Sequence, residues 1–195
     1  GMDLDPVTDY ARYKAQAEKI LAEHEARDFC TVAVRPATVC GYSPRQRLDI
    51  ITNIMTNHAV HNRVIKVFGG AQKRPSIHIQ DMTDLYLRLV EAPREDVTGR
   101  VWNAGRENLT AAQIASTVRM CVGDDVRVVL EPSDDPRSYH ISSERLLREF
   151  GFEFKRTIED AVRDIKAAFA QGLLPDSLTD KRYFNVRTMQ AAGLR

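Results

Sequence analysis

Several features that would point to a particular class of protein are scarce or absent in this sequence. It has only three cysteines, Cys30, Cys40 and Cys121, and no two of them form a C-x-x-C pair. An odd number of scattered cysteines argues against a disulfide framework or a zinc site and indicates reduced thiols of a cytoplasmic protein. No apolar run approaches the ~20 residues that a membrane-spanning helix needs. We therefore expect no metal site and no membrane partner.

An excess of charge of one sign is also missing. The 28 lysines and arginines are balanced by 27 aspartates and glutamates, which leaves a net charge of +1. Proteins that bind nucleic acid or anionic membranes through their general surface are usually strongly basic. The composition therefore gives no reason to expect a nucleic-acid partner.

The third absence concerns glycine. The ten glycines form no G-x-G-x-x-G or G-x-x-G-x-x-G run. In dinucleotide-binding proteins such a run follows the first strand and holds the pyrophosphate against a helix N-terminus. This part of a dinucleotide site is missing from the sequence.

A tyrosine and a lysine stand out near the start of the chain. Tyr10 and Lys14 belong to a predicted helix over residues 8–26, and side chains four positions apart on a helix share one face. A free phenol has a pKa of about 10, and a neighbouring ammonium stabilises the phenolate, which suits acid–base chemistry on an alcohol or ketone. The same spacing is common on surface helices without any catalytic role, so the interpretation depends on the flanking sequence.

Four further segments follow the tyrosine–lysine helix in a characteristic order. They are residues 35–41 (RPATVCG) after an apolar strand at 29–34, then 69–81 (GGAQKRPSIHIQD), 102–105 (WNAG) and 135–137 (DPR). Together with the helix, this order resembles the extended short-chain dehydrogenases/reductases, the group that contains the NAD-dependent sugar-nucleotide epimerases and dehydratases. The resemblance extends to about residue 168.

The resemblance implies an α/β fold: a partial Rossmann-like parallel sheet with helices, plus a small mixed α/β substrate-binding domain. We expect residues 1–105 to hold the catalytic helix and the remaining Rossmann strands, interleaved with substrate-domain segments. Residues 106–172 would be mainly substrate-binding domain, and 173–195 a C-terminal extension that is either packed on the body or partly disordered. Members of the family carry a glycine-rich half before the catalytic helix, so we expect the chain to be a fragment of such a protein.

The resemblance also implies which residues act on the cofactor. Tyr10 would exchange a proton with a sugar hydroxyl, while hydride moves to and from the nicotinamide of NAD or NADP. Lys14 would stabilise the Tyr10 phenolate and hold the nicotinamide ribose. Pro36 and Thr38, after the strand, would lie beside the nicotinamide.

A second set of residues is expected to bind a nucleotide-diphosphate sugar. By the resemblance, Thr38 and Asn53 face the substrate, and Arg74 and Arg137 contact the diphosphate, for which a planar guanidinium is well suited. Cys40 occupies the position where the family commonly has tyrosine, so contacts made by that ring are not expected here.

Two functions remain open at this point. The first is an NAD(P)-dependent epimerase or dehydratase of nucleotide sugars, present here as a fragment that is inactive alone. The second is a non-catalytic domain that binds a nucleotide sugar or only self-associates. Because missing strands would expose an apolar sheet edge, we expect a homo-oligomer.

Local patterns predict the other elements. Asp81 is expected to cap the helix that follows it, and Thr110 the next. The remaining predictions are helices at 47–60, 82–92, 110–122 and 157–171 and strands at 64–68, 100–105 and 126–130.

Overall fold

The computed structural model describes residues 9–134 and 138–193. The helices are α1 (Asp9–Glu23), α2 (Ile51–Asn62), α3 (Ile79–Glu91), α4 (Arg94–Val97), α5 (Ala111–Val122), α6 (Glu144–Phe150), α7 (Ile158–Ala170) and α8 (Asn185–Ala191). The strands are β1 (Val32–Pro36), β2 (Thr38–Cys40), β3 (Val64–Phe68), β4 (Lys73–His78), β5 (Arg100–Ala104), β6 (Glu107–Thr110) and β7 (Arg127–Glu131). Within these described ranges no helix combines the length and the apolar character that crossing a bilayer requires.

The strands form three small, mostly parallel groups. β1 pairs in parallel with β5, and β3 pairs in parallel with β7. β4 lies between β2, to which it is parallel, and β6, to which it is antiparallel. The predicted α/β class with parallel strands is confirmed.

Two apolar clusters join the helices to these groups of strands. In the first, α2 and α5 pack over the inner face of β3, and α7 packs against both helices. In the second, α3 and α6 pack with β4 and β5 around Trp102. α3 shows the amphipathic spacing that produces such packing, since its buried residues Met82, Leu85 and Leu89 recur every three or four positions.

Local signals located the start of α5 correctly and the cap of α3 incorrectly. Thr110 caps α5 with a capping box, in which its side chain accepts from the Gln113 amide while the Gln113 side chain accepts from the Thr110 amide. The prediction for Asp81 was wrong. His78 caps α3 by accepting a hydrogen bond from the Gln80 amide, and Asp81 lies inside the first turn, buried. Its carboxylate accepts the backbone amides of the loop before α7, a contact between distant segments that local sequence does not encode.

The predicted start of α2 at residue 47 was also wrong by one turn. The helix begins at Ile51, and residues 41–50 form a loop (the 41–50 loop). Gln46 holds this loop open, because its side chain accepts from the Ser43 amide and donates to the carbonyls of Gly41 and Arg47. Backbone groups held in this way are unavailable to an additional helical turn.

The C-terminal segment, where it is described, packs on the body. Leu174 and Tyr183 are buried with Leu48 and Ala168 in a third apolar cluster. The Leu48 amide donates to the Tyr183 carbonyl at 2.9 Å. Of the two expectations for this segment, packing on the body is the one observed, and its contacts include the 41–50 loop.

Candidate functional site

Tyr10 and Lys14 lie together on one face of α1. The Lys14 Nζ atom is 5.7 Å from the centroid of the Tyr10 ring, as the spacing of one helical turn predicts. Tyr10 is 72 % exposed, and none of the described residues of α1 is buried. α1 is fixed to β1 by Glu18, whose two carboxylate oxygens accept from Arg35 at 2.8 and 2.6 Å. The pair is therefore assembled and accessible.

Tyr10 opens onto a cavity of about 550 Å³, which we call the Tyr10 cavity. Pro36 and Thr38 line it, at the carboxyl end of β1 and the start of β2. Ligands of open α/β sheets bind at the carboxyl ends of parallel strands, so the position is the expected one. Asn53 also lines it, so the structure brings four of the predicted site residues to one cavity. Besides Tyr10, Pro36 and Thr38, the lining consists of Ala37, Val39, Cys40, Gly41, Ser43, Arg45, Gln46, Arg47, Ile50, Asn53, Ile79, Met82 and Tyr86.

A second cavity, the Arg74 cavity, adjoins the first. It measures about 530 Å³ and shares Pro36, Thr38 and Ile50 with the Tyr10 cavity. Arg74 lines it from β4, with its guanidinium carbon 5.9 Å from the centroid of the Tyr139 ring. Thr38 thus lies between the tyrosine and the arginine. The other predicted arginine, Arg137, lies outside the described residues.

A third cavity, which the sequence did not predict, continues beyond Arg74. This apolar groove of about 650 Å³ lies between α2 and the outward-facing side chains of β3, and it shares Ile51 and Arg74 with the Arg74 cavity. His58 is among its polar groups, with the Asn62 amide nitrogen 2.9 Å from its Nδ1 atom. Burial lowers the pKa of His58, and the neighbouring His61 lowers it further, which favours a neutral ring at neutral pH.

Asn53 lines the Tyr10 cavity but uses its amide on the protein. It is 2 % exposed; its Oδ1 accepts from the Gly41 amide at 3.2 Å, and its Nδ2 donates to the Arg47 carbonyl at 2.8 Å. A third, longer bond joins Nδ2 to the Gly41 carbonyl at 3.4 Å. In this conformation Asn53 fixes the 41–50 loop, and its predicted substrate contact remains a prediction.

Cys40 is the buried residue at the end of β2. Burial raises the pKa of its thiol to about 12, and the charge of Glu107 contributes in the same direction. A thiol with this pKa is protonated and unreactive at neutral pH. Cys40 therefore contributes packing to the wall of the Tyr10 cavity and offers no phenol or thiolate to a ligand.

Arg45 and Arg47 are lining residues of the Tyr10 cavity that sequence reasoning missed. Both come from the 41–50 loop, which was predicted to be partly helical. The only local signal was the closeness of two arginines after Pro44. Their approach to Tyr10 depends on the fold of the loop.

A sequence model of the NAD dependent epimerase/dehydratase family matches residues 2–105, which is more than half of the 195 residues. The chain belongs to the NAD dependent epimerase/dehydratase family. This confirms the family resemblance over residues 2–105. The roles of Tyr10 and Lys14 and the resemblance of residues 135–137 remain predictions.

Solved structures share the fold of this family member at low sequence identity. UDP-glucose 4-epimerase from Thermotoga maritima, solved with UDP-glucose, has a TM-score of 0.73 and 22 % identity over 87 % of this chain and 55 % of its own. dTDP-glucose 4,6-dehydratase from Bacillus anthracis str. Ames, in complex with NAD, has a TM-score of 0.70 and 22 % identity over 87 % of this chain and 54 % of its own.

A third similar structure is that of an enzyme named for an amino acid and not for a nucleotide sugar. The monomeric L-threonine 3-dehydrogenase from a metagenome has a TM-score of 0.73 and 15 % identity over 89 % of this chain and 59 % of its own. The chain thus spans a little more than half the length of each of these proteins. At such identities the likeness establishes the fold, and the substrate has to be argued from the site.

Proposed function

We propose that this chain forms the acid–base and substrate-binding part of an NAD(P)-dependent epimerase or dehydratase of nucleotide-diphosphate sugars. The observation that carries the proposal is the series of three adjoining cavities from Tyr10 to the apolar groove. A nucleotide sugar has three chemically different parts in the same order: a polar ring, a charged diphosphate and a nucleoside whose flat base can pack on apolar side chains. Each part has a matching cavity.

Arg74 is the residue that we assign to the diphosphate. It belongs to the walls of both the Arg74 cavity and the apolar groove, so it stands where the two negative charges of a bound substrate would lie. Guanidinium groups bind phosphate oxygens through charge-assisted, often bidentate hydrogen bonds. We expect Arg137 to contribute a second such group, as the resemblance implies.

The sugar would then lie in the Tyr10 cavity, within reach of Tyr10 and Thr38. The Tyr10 phenolate would take a proton from a sugar hydroxyl, and the phenol so formed would later return that proton to the sugar's carbonyl oxygen. Lys14 would stabilise the phenolate form. The lysine ammonium lies beside the ring, 5.7 Å from its centroid. Thr38 would orient the same hydroxyl through a hydrogen bond.

The described residues fit one end of an NAD or NADP molecule. Lys14 is exposed beside Tyr10, and Pro36 and Thr38 line the same cavity at the end of a parallel strand, so these three would hold the nicotinamide ribose and ring. When bound, the cofactor supplies hydride transfer. The sequence contains no glycine-rich turn for its pyrophosphate.

A non-catalytic nucleotide-sugar-binding domain is the second candidate. It is favoured by the exposure of Tyr10 and by the absence of buried residues among the described part of α1. A catalytic phenol usually works in a site from which water is excluded. Both candidates predict binding of the nucleotide, and only the first predicts turnover once a cofactor-binding half is joined to the chain.

The first experiment is a titration of the whole chain with UDP, dTDP and GDP, followed by calorimetry and by melting temperature. A ligand at a hundredfold excess over its Kd stabilises the folded state by about 2.7 kcal/mol. Arg74→Met should weaken binding by roughly 10- to 100-fold through the lost charge-assisted bonds. Arg148→Met is the matched control, since the Arg148 side chain is 75 % exposed on α6 and lines none of the three cavities. Failure of all three nucleotides to bind would refute the proposal.

The second experiment separates the two candidates. Because the chain is expected to be inactive alone, it is first joined to the glycine-rich cofactor-binding half of a family member. The joined protein is incubated with NAD or NADP and with the glucose conjugate of the nucleoside diphosphate that binds most tightly, and products are followed by NMR. Turnover that falls by about 10²- to 10⁴-fold in Tyr10→Phe, with unchanged nucleotide affinity, supports the enzyme. Binding without turnover when that half is present supports the non-catalytic domain.

A further inference from the structure

The wall of the Tyr10 cavity has an uneven charge. Among the described residues that line it there are two arginines, Arg45 and Arg47, and no aspartate or glutamate. The lining also includes no lysine, while Lys14 stands just outside, beside Tyr10. A neutral hexose offers no counter-charge to such a wall.

Arg47 is fixed to the protein through its Nε atom. Its Nε donates to Asp49 Oδ1 at 2.9 Å, and the side chain is 42 % exposed. In the part of the chain that the structure describes, its two Nη atoms make no hydrogen bond with protein. Asp49 itself lines the apolar groove and not the Tyr10 cavity. Its carboxylate therefore fixes Arg47 without adding a negative charge to the lining of the Tyr10 cavity.

A residue of the C-terminal segment organises both arginines. The Asn185 backbone amide donates to Asp49 Oδ2 at 2.8 Å. Both oxygens of the Asp49 carboxylate are therefore hydrogen-bonded, one to Asn185 and one to Arg47. The Asn185 side-chain oxygen accepts from Arg45 Nη2 at 3.2 Å. One residue at the start of α8 is therefore connected to both guanidinium groups.

We propose that the Tyr10 cavity selects nucleotide sugars whose ring carries a carboxylate, with Arg45 and Arg47 as the specificity-determining residues and Asn185 as the residue that positions them. The proposal rests on the proposed function and deepens it by naming the substrate class. A planar guanidinium matches a carboxylate through paired hydrogen bonds, whereas it gains much less from a hydroxymethyl group at the same position. The diphosphate is not needed to explain these arginines, because Arg74 stands at the next cavity.

The test measures three affinities on the whole chain by calorimetry: UDP, UDP-glucose and UDP-glucuronate. UDP-glucose and UDP-glucuronate differ only in the group at C6 of the sugar. We expect UDP-glucuronate to bind about tenfold or more tightly than UDP-glucose, as one charge-assisted interaction would give. If UDP or another nucleoside diphosphate binds but the two sugars bind equally, the inference fails while the proposed function stands. If the chain binds none of the nucleotides, both fail.

Variants then identify the residues responsible. Arg47→Met should abolish the preference for glucuronate and leave the affinity for UDP unchanged, while Arg47→Lys should retain part of the preference. The control Arg148→Met should change neither quantity. If Arg47→Met weakens all three ligands by the same factor, the arginines bind the diphosphate and the inference is overturned.

The role of Asn185 is tested by Asn185→Pro. Proline is tolerated at the first position of a helix, and the preceding Phe184 is already extended (φ −126°, ψ 104°), so α8 should persist. The change removes both the amide donor and the side-chain acceptor. We expect the preference for glucuronate to fall several-fold, with UDP affinity and helix content unchanged. An unaltered preference would refute the positioning role, since a purely structural contact would not change the ratio of two sugar affinities.

Discussion

Replacing Asn53 by alanine decides between two roles for this residue. The resemblance assigns it to the substrate, whereas the structure uses its amide in three hydrogen bonds to the backbone of Gly41 and Arg47. Each such bond contributes a net ~0.5–1.5 kcal/mol, so the loss of three should cost about 1.5–4.5 kcal/mol of folding free energy. For a chain of this size each 1 kcal/mol corresponds to a fall of about 2–4 °C in melting temperature.

The measurement is equilibrium unfolding in urea, with nucleotide affinity determined at a temperature where the variant is folded. The exposed amide residue Gln171 supplies the matched control, and Gln171→Ala should change the stability by less than about 0.5 kcal/mol. A stability loss below about 1 kcal/mol for Asn53→Ala, combined with a large loss of nucleotide affinity, would refute the loop-fixing role. Asn53 would then be a direct substrate contact.

Three further outcomes are expected. Thr110→Ala removes the capping box of α5 and should cost about 1 kcal/mol in urea unfolding, whereas Thr110→Ser should cost little. At pH 8.5 iodoacetamide should alkylate the exposed Cys30 in the folded protein and not the buried Cys40, whose pKa of about 12 keeps it protonated; mass spectrometry locates the label. Burial lowers the pKa of His78 despite the attraction of Asp164, so the unfolded chain binds more protons than the folded one below about pH 6.5. Stability should therefore fall as the pH drops from about 6.5 through the folded pKa, and a flat profile over pH 5–7 would contradict this.

Local sequence was sufficient for features that depend on short-range geometry. The contact between Tyr10 and Lys14 follows from the helical period, and the bounds of β3, Val64–Phe68, were predicted without error. Thr110 was recognised as a cap because a capping box needs only residues three positions apart. These features require no knowledge of the rest of the fold.

The tertiary structure decided what surrounds the tyrosine. Asp49 and Asn185 are 136 positions apart, and nothing in either local sequence predicts that they meet. The same is true of Asp81, which binds the loop before α7 at a separation of 74 and 75 positions instead of capping its own helix. Side chains such as Arg47 reach the Tyr10 cavity only because the folded loop and the C-terminal segment hold them there. A hydrogen bond depends on the distance between atoms in space, and for residues far apart in the chain that distance is fixed by the packing of the whole molecule.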